Sequence, residues 1–299
     1  MPSLRSPDTL PSIDGYRISR LIGEGRVARI YLACDPRRGG SIALKVLKDS
    51  LEHGVVIRQW FAAECAILSS IRHEHVVRVF GHHAGGDPAY LAMEYLEGGT
   101  LRERIRGGIG ATHAVSLLRQ AAGGLAAAHR RAIVHRDVKP ENFLMRASGV
   151  LVLVDFGVAT DRGNAASRVP AGHLVGTPSY ASPEQAQGEP VSAAADVYSL
   201  GVVFYEMLCG RRPFAGRTAL ELMSQHLVAP VPRLPRRLAQ YQTLIDRMLE
   251  KKSHRRLADA DAVLQEIGHS APREIESASC PRSGKQFSSC RKTTPILSM

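Results

Sequence analysis

One stretch near the middle of the chain constrains the fold more than any other. It runs from Ile133 to Gly157 and reads IVHRDVKPENFLMRASGVLVLVDFG. Four of its residues follow the pattern H-R-D-x-x-x-x-N, which composition alone would produce about once in five hundred chains of 299 residues. A D-F-G triplet closes the stretch and makes an accidental match rarer still. We therefore take these residues as the organising site of the chain.

The residue types in this stretch suit the transfer of a phosphoryl group. Such transfer needs a carboxylate that orients the attacking hydroxyl, and metal ions that gather charge on the phosphates. Asp137 is placed to accept the hydroxyl proton, while Asn142 and Asp155 offer the hard oxygen ligands that Mg²⁺ prefers. Residues 149–154 predict a turn and a short apolar strand, so that the two metal ligands can face each other across a hairpin. The alternative is that these are ordinary loop carboxylates.

The pattern resembles the catalytic and metal-binding loops of protein kinases. The resemblance implies a bilobal α+β fold, with a small β-rich N-lobe that carries one main helix and a larger, mainly helical C-lobe. We expect a kinase domain at residues 16–268, with the N-lobe at about 16–93 and the C-lobe at about 97–268. Residues 1–15 are a Pro/Ser-rich lead-in, and residues 269–299 form a basic Ser/Pro-rich tail that we expect to be disordered.

Residues 16–33 predict two strands around a glycine-rich turn. In kinases this turn covers the ATP phosphates with backbone N–H groups, and glycine lets the backbone approach closely. Here the third glycine of the family's G-x-G-x-x-G is Ala28, whose methyl group needs little room, so we expect nucleotide binding to survive. The residues that the resemblance assigns to nucleotide contact in this region are Ile22, Gly23, Glu24, Gly25, Arg26, Val27, Ala28 and Ile30.

The strand predicted at 42–47 has a single lysine, Lys45, among apolar neighbours and matches the family's V-A-I-K. Taken alone, a surface strand lysine is the more common situation. However, residues 58–71 predict a helix from apolar residues at helical spacing, and Glu64 falls where the family's αC glutamate lies. The resemblance implies that Lys45 grips the α- and β-phosphates while Glu64 holds it in place.

Residues 90–99, YLAMEYLEGG, resemble the strand and hinge between the two lobes. By resemblance, Met93 lines the back of the adenine pocket, and backbone groups of Glu94 and Leu96 hydrogen-bond the adenine edge. Ala43 and Leu144 complete the expected nucleotide contacts.

Two further residues indicate the phosphate acceptor. The motif G-T-P-S-Y-A-S-P-E-Q at 176–185 resembles the family's G-T-x-x-Y-x-A-P-E, with Ser182 in place of alanine. Lys139 and Thr177 are what the Ser/Thr-specific branch carries: Lys139 would neutralise charge on the γ-phosphate, and Thr177 would help fix Asp137 and the acceptor. The resemblance implies a Ser/Thr protein kinase that uses ATP and Mg²⁺ on protein substrates, including itself, and is most similar to bacterial kinases of the eukaryotic type.

Several residues are expected to support this site. Asp196 would hold the catalytic-loop backbone, and Glu184 would pair with Arg256 or with the adjacent Arg255. Thr112 can cap a helix that runs to about residue 131. Near the end of that helix we expect a hydrogen-bonded packing role for His129, and we attribute the glycine pair 123–124 inside it to close packing against a neighbour.

Arg136 suggests regulation, because kinases with an arginine before the catalytic aspartate use it to bind a phosphate on the activation loop. Ser167 is the best acceptor for autophosphorylation, with Arg162 and Arg168 as local partners. The alternative is a loop that is ordered without phosphate.

Two other functions remain open at this stage. A pseudokinase would act as a binding module, but the residues such proteins usually lose, Lys45, Asp137 and Asp155, are all present. A small-molecule phosphotransferase of related fold would lack the G-T-x-x-Y platform for a peptide acceptor.

The composition limits the partners and the compartment. The net charge of +11 indicates a basic surface. We do not expect nucleic-acid binding, because the sequence has no basic stretch interleaved with aromatic residues. The five scattered cysteines fit a reducing cytoplasm, and a zinc site at Cys280 and Cys290 would need two further ligands. We expect neither a signal peptide nor a membrane span.

Overall fold

The computed structural model describes residues 10–48, 54–157, 160–161 and 177–270. Its N-terminal part is an antiparallel sheet covered by one long helix. The elements are β1 (Arg17–Glu24), β2 (Ala28–Cys34), β3 (Ser41–Leu47), α1 (Gly54–Ser70), β4 (Val79–His83) and β5 (Tyr90–Glu94). The sheet order is β1-β2-β3-β5-β4. The predicted strands and helix are thus confirmed, although α1 begins at residue 54 rather than 58.

The alternation of residues along β3 decides which side chains face α1. Ala43 and Leu47 belong to the large core cluster that includes the buried face of α1, whereas Leu44 and Val46 belong to a separate cluster on the other side of the sheet. Because side chains alternate along a strand, Lys45 lies on the same face as Ala43 and Leu47. The sequence therefore directs the lysine towards α1.

The C-terminal part is mainly helical. Its helices are α2 (Leu101–Arg106), α3 (Ala111–His129), α4 (Pro183–Ala186), α5 (Ala193–Cys209), α6 (Ala219–Val228), α7 (Gln242–Met248) and α8 (Ala260–Ser270), with short 3₁₀ helices at Pro140–Asn142, Arg236–Tyr241 and Ser253–Arg255. Short strands β6 (Ile133–Val134), β7 (Phe143–Met145), β8 (Leu151–Leu153) and β9 (Thr160–Asp161) form two small sheets. No helix among the described residues is long and apolar enough to cross a membrane.

The central helix of this part is α5. All its residues from 194 to 208 are buried, which explains why the sequence there is apolar on every side. Gly201 marks a close contact, since a Cβ at this position would lie 2.9 Å from the Cβ of Met248. The helix ends at Gly210, whose φ of 69° is in the left-handed region that glycine adopts without strain.

The N-terminus of α3 differs from the prediction. The helix begins at Ala111, its N-cap is Gly110, and no side chain caps it, so the prediction that Thr112 is the cap was wrong. The expected close packing of the glycine pair is confirmed. A Cβ on Gly124 would lie 2.5 Å from the carbonyl oxygen of His75, which no side chain could tolerate.

The β7–β8 hairpin is positioned by the chain between α1 and β4. The backbone N–H of Leu153 donates to the carbonyl of His75, and the N–H of Val77 donates to the carbonyl of Leu153, both at 2.9 Å. The N–H of Val154 then donates to the carbonyl of Asn142 at 3.0 Å. The predicted hairpin is confirmed, and its end brings residues 155–157 beside α1.

Candidate active site

The lysine of β3 lies in a cluster with two carboxylates. The Nζ of Lys45 donates to Oε1 of Glu64 at 2.5 Å and to Oδ1 of Asp155 at 3.4 Å. Only 13% of the Lys45 side chain and 4% of the Glu64 side chain are exposed. The sheet, α1 and the segment after β8 therefore converge on one partly dehydrated ammonium group.

The charges in this cluster stabilise one another. Burial alone would lower the pKa of Lys45, but the carboxylates of Glu64 and Asp155 outweigh it and raise that pKa above its ordinary value. Burial would raise the pKa of Asp155, yet the charge of Lys45 and the backbone N–H of Gly157 hold it well below its usual range. The Asp155 carboxylate is therefore ionised at neutral pH and can bind a cation.

A second cluster surrounds Asp137. Its Oδ1 accepts hydrogen bonds from the backbone N–H and the hydroxyl of Thr177, both at 3.1 Å. Its Oδ2 accepts from Nζ of Lys139 and, at 3.4 Å, from Nδ2 of Asn142. The Nζ of Lys139 also donates to the Thr177 hydroxyl at 3.1 Å. The four residues that the sequence assigned to catalysis thus meet around one carboxylate.

The backbone before Asp137 is held in an unusual conformation. Arg136 has a φ of 68°, in the left-handed region that a residue with a Cβ rarely adopts. The carboxylate of Asp196 accepts the backbone N–H groups of His135 and Arg136 at 2.7 and 2.8 Å, and Nε2 of Gln185 donates to the carbonyl of Arg136 at 2.7 Å. The predicted contact from Asp196 is confirmed, whereas that from Gln185 was missed because only tertiary packing brings it there.

The supporting carboxylate is itself anchored. The Nε2 of His129 lies 2.9 Å from Oδ2 of Asp196, and Nδ1 of the same ring accepts the backbone N–H of Ala260. Burial would raise the pKa of Asp196, but the hydrogen bond with His129 and the nearby His135 lower it below its ordinary value. The expected packing role of His129 is confirmed.

The donor set near Asp155 fits a hard divalent cation. The Nδ2 of Asn142 donates to the carbonyl of Asp137 at 2.8 Å, which fixes the amide and directs its oxygen away from that carbonyl. Oδ1 of Asp155 accepts the N–H of Gly157 at 2.9 Å, and a Cβ on that glycine would approach the same oxygen to 3.1 Å. A carboxylate and an amide oxygen are ligands of the kind that Mg²⁺ and Ca²⁺ take.

Two glycines near the β1–β2 turn, Gly23 and Gly25, have no close contact within the described residues that a side chain would prevent. A Cβ on Gly23 would lie 3.7 Å from the Ile30 side chain, and one on Gly25 would lie 3.5 Å from the carbonyl of Ala28, both ordinary contacts. Neither glycine has a positive φ. Close approach of an external anion to the backbone would account for them. Beside the turn, Glu24 pairs with Lys48 at 2.7 Å.

The predicted adenine contacts belong to the main hydrophobic cluster or pack against it. Buried members are Ala43, Met93 and Leu96, and partly buried neighbours are Ile22, Ile30 and Leu144. The hinge prediction needs one refinement. The N–H of Glu94 already donates to the carbonyl of Arg78, so only the carbonyl of Glu94 can meet a ligand there. Arg26 is exposed and Val27 half-buried in the turn above.

The geometry decides which of the two adjacent arginines, Arg255 or Arg256, pairs with Glu184. Arg256 Nη1 and Nη2 donate to the two carboxylate oxygens of Glu184 at 2.8 and 3.1 Å, whereas Arg255 is exposed.

Some predicted sites lie outside the described residues. They are the phosphoacceptor Ser167, its partners Arg162 and Arg168, and the cysteines at 280 and 290.

The fold and the site together define a protein kinase, and the chain belongs to that family: the family model described as "Protein kinase domain" matches residues 16–267. The chain is 37% identical over 263 residues to a protein of Corynebacterium efficiens named "Serine/threonine-protein kinases drp72", covering 84% of this chain and 50% of that protein. It is 38% identical over 227 residues to "Serine/threonine-protein kinase PknA" of Mycobacterium tuberculosis, covering 74% and 52%.

A third relative is "Serine/threonine-protein kinase PknL" of Mycobacterium tuberculosis, 36% identical over 252 residues, with 83% of this chain and 63% of the relative covered. The chain thus spans about half to two thirds of the length of the curated relatives it matches. The predicted family, the bilobal α+β fold and the similarity to bacterial Ser/Thr kinases are confirmed.

Proposed function

We propose that the chain transfers the γ-phosphate of ATP, with Mg²⁺, to Ser and Thr hydroxyls of proteins. The observation that carries the proposal is the arrangement around Asp137, in which Thr177 and Lys139 hold the carboxylate beside Asn142. The other expected metal ligand, Asp155, is in contact with Lys45. Family membership and the names of the relatives support the same reaction.

The chain's residues have distinct tasks in this reaction. Lys45, fixed by Glu64, would bind the α- and β-phosphates. Asp137 would orient the acceptor hydroxyl and accept its proton. Lys139 lies between Asp137 and Thr177, where its charge can stabilise the γ-phosphate as it moves. Mg²⁺ held by Asn142 and Asp155 would supply charge neutralisation on the phosphate oxygens.

The acceptor type can be tested directly. We expect transfer of radiolabel from [γ-³²P]ATP to matched peptides that present Ser or Thr, and at least about 100-fold less to the Tyr peptide, because Lys139 and Thr177 are the residues that the Ser/Thr-specific branch of the family carries. Phosphoamino-acid analysis of the products gives the ratio. Equal labelling of the Tyr peptide would contradict this assignment.

Removal of the principal metal ligand is expected to separate nucleotide binding from metal binding. Asp155→Ala should abolish transfer and remove the Mg²⁺ dependence of ATP affinity, since the ionised carboxylate and its Gly157 contact are lost. A fluorescent ATP analogue is titrated with and without Mg²⁺.

Asp87→Ala is the matched control, because the side chain of this aspartate is 80% exposed and its ion-pair partner is Arg58. A Mg²⁺ effect of wild-type size in Asp155→Ala protein would mean that the metal is held by other residues.

No feature of the residues that the structure describes favours the pseudokinase alternative. Lys45, Asp137 and Asp155 are present and have partners, and nothing in the donor sets is broken. A small-molecule phosphotransferase is also disfavoured, since Thr177 belongs to the platform that the family uses for peptide acceptors.

We further propose autophosphorylation at Ser167, with Arg136 as a receiver of the phosphate. The Nε of Arg136 is buried and has no hydrogen-bond partner among the described residues. Phosphosite mapping of purified wild-type protein should find phosphate on Ser167, and Ser167→Ala should lower transfer to an added protein substrate about 10-fold. Full activity of the alanine variant together with an unmodified Ser167 would exclude this switch.

We also propose bounds for the catalytic domain and a cytoplasmic location for it. Residues 16–268 would form the catalytic unit and residues 269–299 a tail. A cytoplasmic location agrees with the free thiols of Cys34, Cys65 and Cys209.

A further inference from the structure

A groove of about 670 Å³ lies between the C-terminal end of α1 and the strand β4. Residues between 68 and 82 form most of its lining, together with Arg38 from the β2–β3 connection and Arg146 directly after β7. Because β4 is the last strand in the sheet order, one wall of the groove is an edge of the sheet. None of the residues assigned to catalysis, nucleotide binding or metal binding lines this groove, so it is a second candidate site.

Cationic side chains dominate the charged lining of the groove. Its four arginines are Arg38, Arg72, Arg78 and Arg146, and among the described residues that line it Glu74 is the only carboxylate. The Glu74 side chain is 75% exposed and can turn towards solvent. The groove therefore carries a net positive charge.

The arginines differ in how far their charge is already balanced. Arg146 donates to both carboxylate oxygens of Glu94, at 2.8 and 3.0 Å, and Nε of Arg38 lies 3.4 Å from Oδ2 of Asp35. Within the ranges that the structure describes, neither Arg72 nor Arg78 forms an ion pair, and both are exposed. These two guanidinium groups are free to bind an external anion.

Two of the arginines converge on one aromatic ring. The guanidinium carbons of Arg38 and Arg78 lie 4.9 and 5.5 Å from the ring centroid of Phe80, which places them within about 10 Å of each other. Phe80 lies where the register between β4 and β5 shifts. Charged side chains and bulges on an edge strand ordinarily prevent pairing with other chains. That role does not require Arg38, which comes from another connection, whereas an anion bound between the two cations would.

The groove is formed before any ligand binds. Its apolar lining residues are buried in the domain core: Leu68, Ile71, Val76 and Val77. The chain between α1 and β4 is held in place by Arg146, whose Nη1 donates to the carbonyl of Glu74 at 2.7 Å. A ligand would therefore bind without the cost of ordering this segment.

The surroundings of the cations indicate which kind of anion the groove fits. Single-stranded nucleic acids bind by stacking bases on aromatic faces, but Phe80 already has two guanidinium groups against it, and neither Tyr nor Trp is among the described lining residues. A membrane surface binds exposed apolar side chains beside cations, and none of the exposed large hydrophobic residues in the described part of the chain lines the groove. A peptide can follow a concave sheet edge, and its carboxylates pair well with guanidinium groups.

We propose that the groove between α1 and β4 binds an extended segment rich in Glu or Asp from a partner protein, with Arg38, Arg72 and Arg78 as its cationic contacts. The ends of this chain do not supply such a segment. Residues 1–9 contain a single aspartate, and residues 271–299 contain more basic than acidic residues. The net charge of +11 also disfavours a second copy of the chain as the occupant.

The test is fluorescence anisotropy at low salt with a fluorescein-labelled nonapeptide in which Glu alternates with Thr, and with the same peptide carrying Gln for Glu. Wild-type protein should bind the Glu peptide at least about 10-fold more tightly. Arg72→Ala and Arg78→Ala should each weaken binding of the Glu peptide about 3-fold, and the double variant about 10-fold, because exposed charge pairs contribute modestly and add when separate.

Two variants serve as controls. Arg236→Ala removes an exposed arginine from the 3₁₀ helix Arg236–Tyr241 and changes the net charge equally, so it should leave the affinity unchanged. Arg78→Lys keeps the charge and should lose less affinity than Arg78→Ala. Thermal unfolding of each variant at the wild-type temperature shows that the fold is retained.

Other occupants are tested with the same variants. Equal affinity for the Glu and Gln peptides, or unchanged binding by the double variant, would overturn the proposal. It would also be overturned if a labelled oligothymidine or vesicles of phosphatidylserine and phosphatidylcholine bound more tightly than the Glu peptide and lost affinity in the double variant, or if sedimentation showed a dimer that this variant dissociates. None of these measurements requires phosphate transfer, so their outcome is independent of the proposed enzymatic function.

Discussion

Asparagine in place of Asp137 is expected to lower kcat about 10³-fold while the free energy of unfolding changes by less than about 1 kcal/mol. The carboxylate accepts the Thr177 N–H and hydroxyl at 3.1 Å, and an amide oxygen at the same position can accept both. The amide lacks the negative charge that attracts the acceptor proton, and its NH2 group cannot accept from Lys139 and Asn142 as Oδ2 does. The variant therefore removes the charge needed for the chemical step while keeping both contacts with Thr177.

The measurement is single-turnover transfer of radiolabel from ATP to a Ser peptide, alongside thermal unfolding and nucleotide titration. Asp87→Asn is the matched control, because that side chain is 80% exposed and lies far along the chain from the site. ATP affinity should be close to that of wild type in both variants. Transfer by Asp137→Asn protein at the wild-type rate would exclude Asp137 as the group that activates the acceptor.

Lys45→Met is a less selective test of the same mechanism. Only 4% of the Glu64 side chain is exposed, and its partner is Nζ of Lys45 at 2.5 Å. Loss of the lysine would leave a buried carboxylate without its cation, which costs about 3–5 kcal/mol in comparable cases. A loss of activity in this variant would therefore combine destabilisation with the loss of a phosphate contact.

The sequence was most informative where function restricts the residue type. Lys45, Glu64, Asp137 and Asp155 could be predicted because the motifs around them resemble those of protein kinases, whose phosphoryl-transfer site uses these charges. Their mutual geometry was then a consequence of the fold, since β3, α1 and the β7–β8 hairpin direct them towards one another. In this part of the molecule, the structure brings together the residues that the motifs single out, and their roles in catalysis stay predictions.

The sequence was least informative where tertiary contacts replace local signals. Thr112 is a good capping residue, yet the N-cap of α3 is Gly110, two residues earlier, and Gly124 further along the helix packs against His75. Arg102 on α2 forms an ion pair with Glu206 on α5 at 2.8 Å, and no motif links those two helices in the sequence. Contacts between residues about a hundred positions apart have no periodic or local signature.

The choice of Arg256 rather than Arg255 as the partner of Glu184 also required the structure, and this pair gives the largest expected effect on stability. The Arg256 side chain is fully buried. Beyond its two bonds to Glu184, its Nη1 donates to the carbonyl of Ala194 at 2.7 Å, its Nε to that of Glu250 at 2.8 Å, and its Nη2 to that of Lys251 at 3.1 Å. All five N–H donors of the guanidinium group therefore have acceptors.

Arg256→Ala is expected to lower the free energy of unfolding by about 3–5 kcal/mol, because it leaves the buried Glu184 carboxylate without its cation and removes a donor from three backbone carbonyls. Urea unfolding gives the change directly. The adjacent Arg255→Ala is the control, with an expected change within about 0.5 kcal/mol, since that side chain is exposed.

A second comparison separates the ion pair from simple loss of volume. Arg256→Lys keeps the positive charge but cannot donate to both oxygens of Glu184 and to three carbonyls at once, so it should still cost most of the alanine effect. Glu184→Gln keeps the side-chain shape and should cost less than Arg256→Ala, because the guanidinium retains its carbonyl acceptors. If Arg255→Ala were as destabilising as Arg256→Ala, the loss of stability could not be attributed to the buried pair of Arg256 and Glu184.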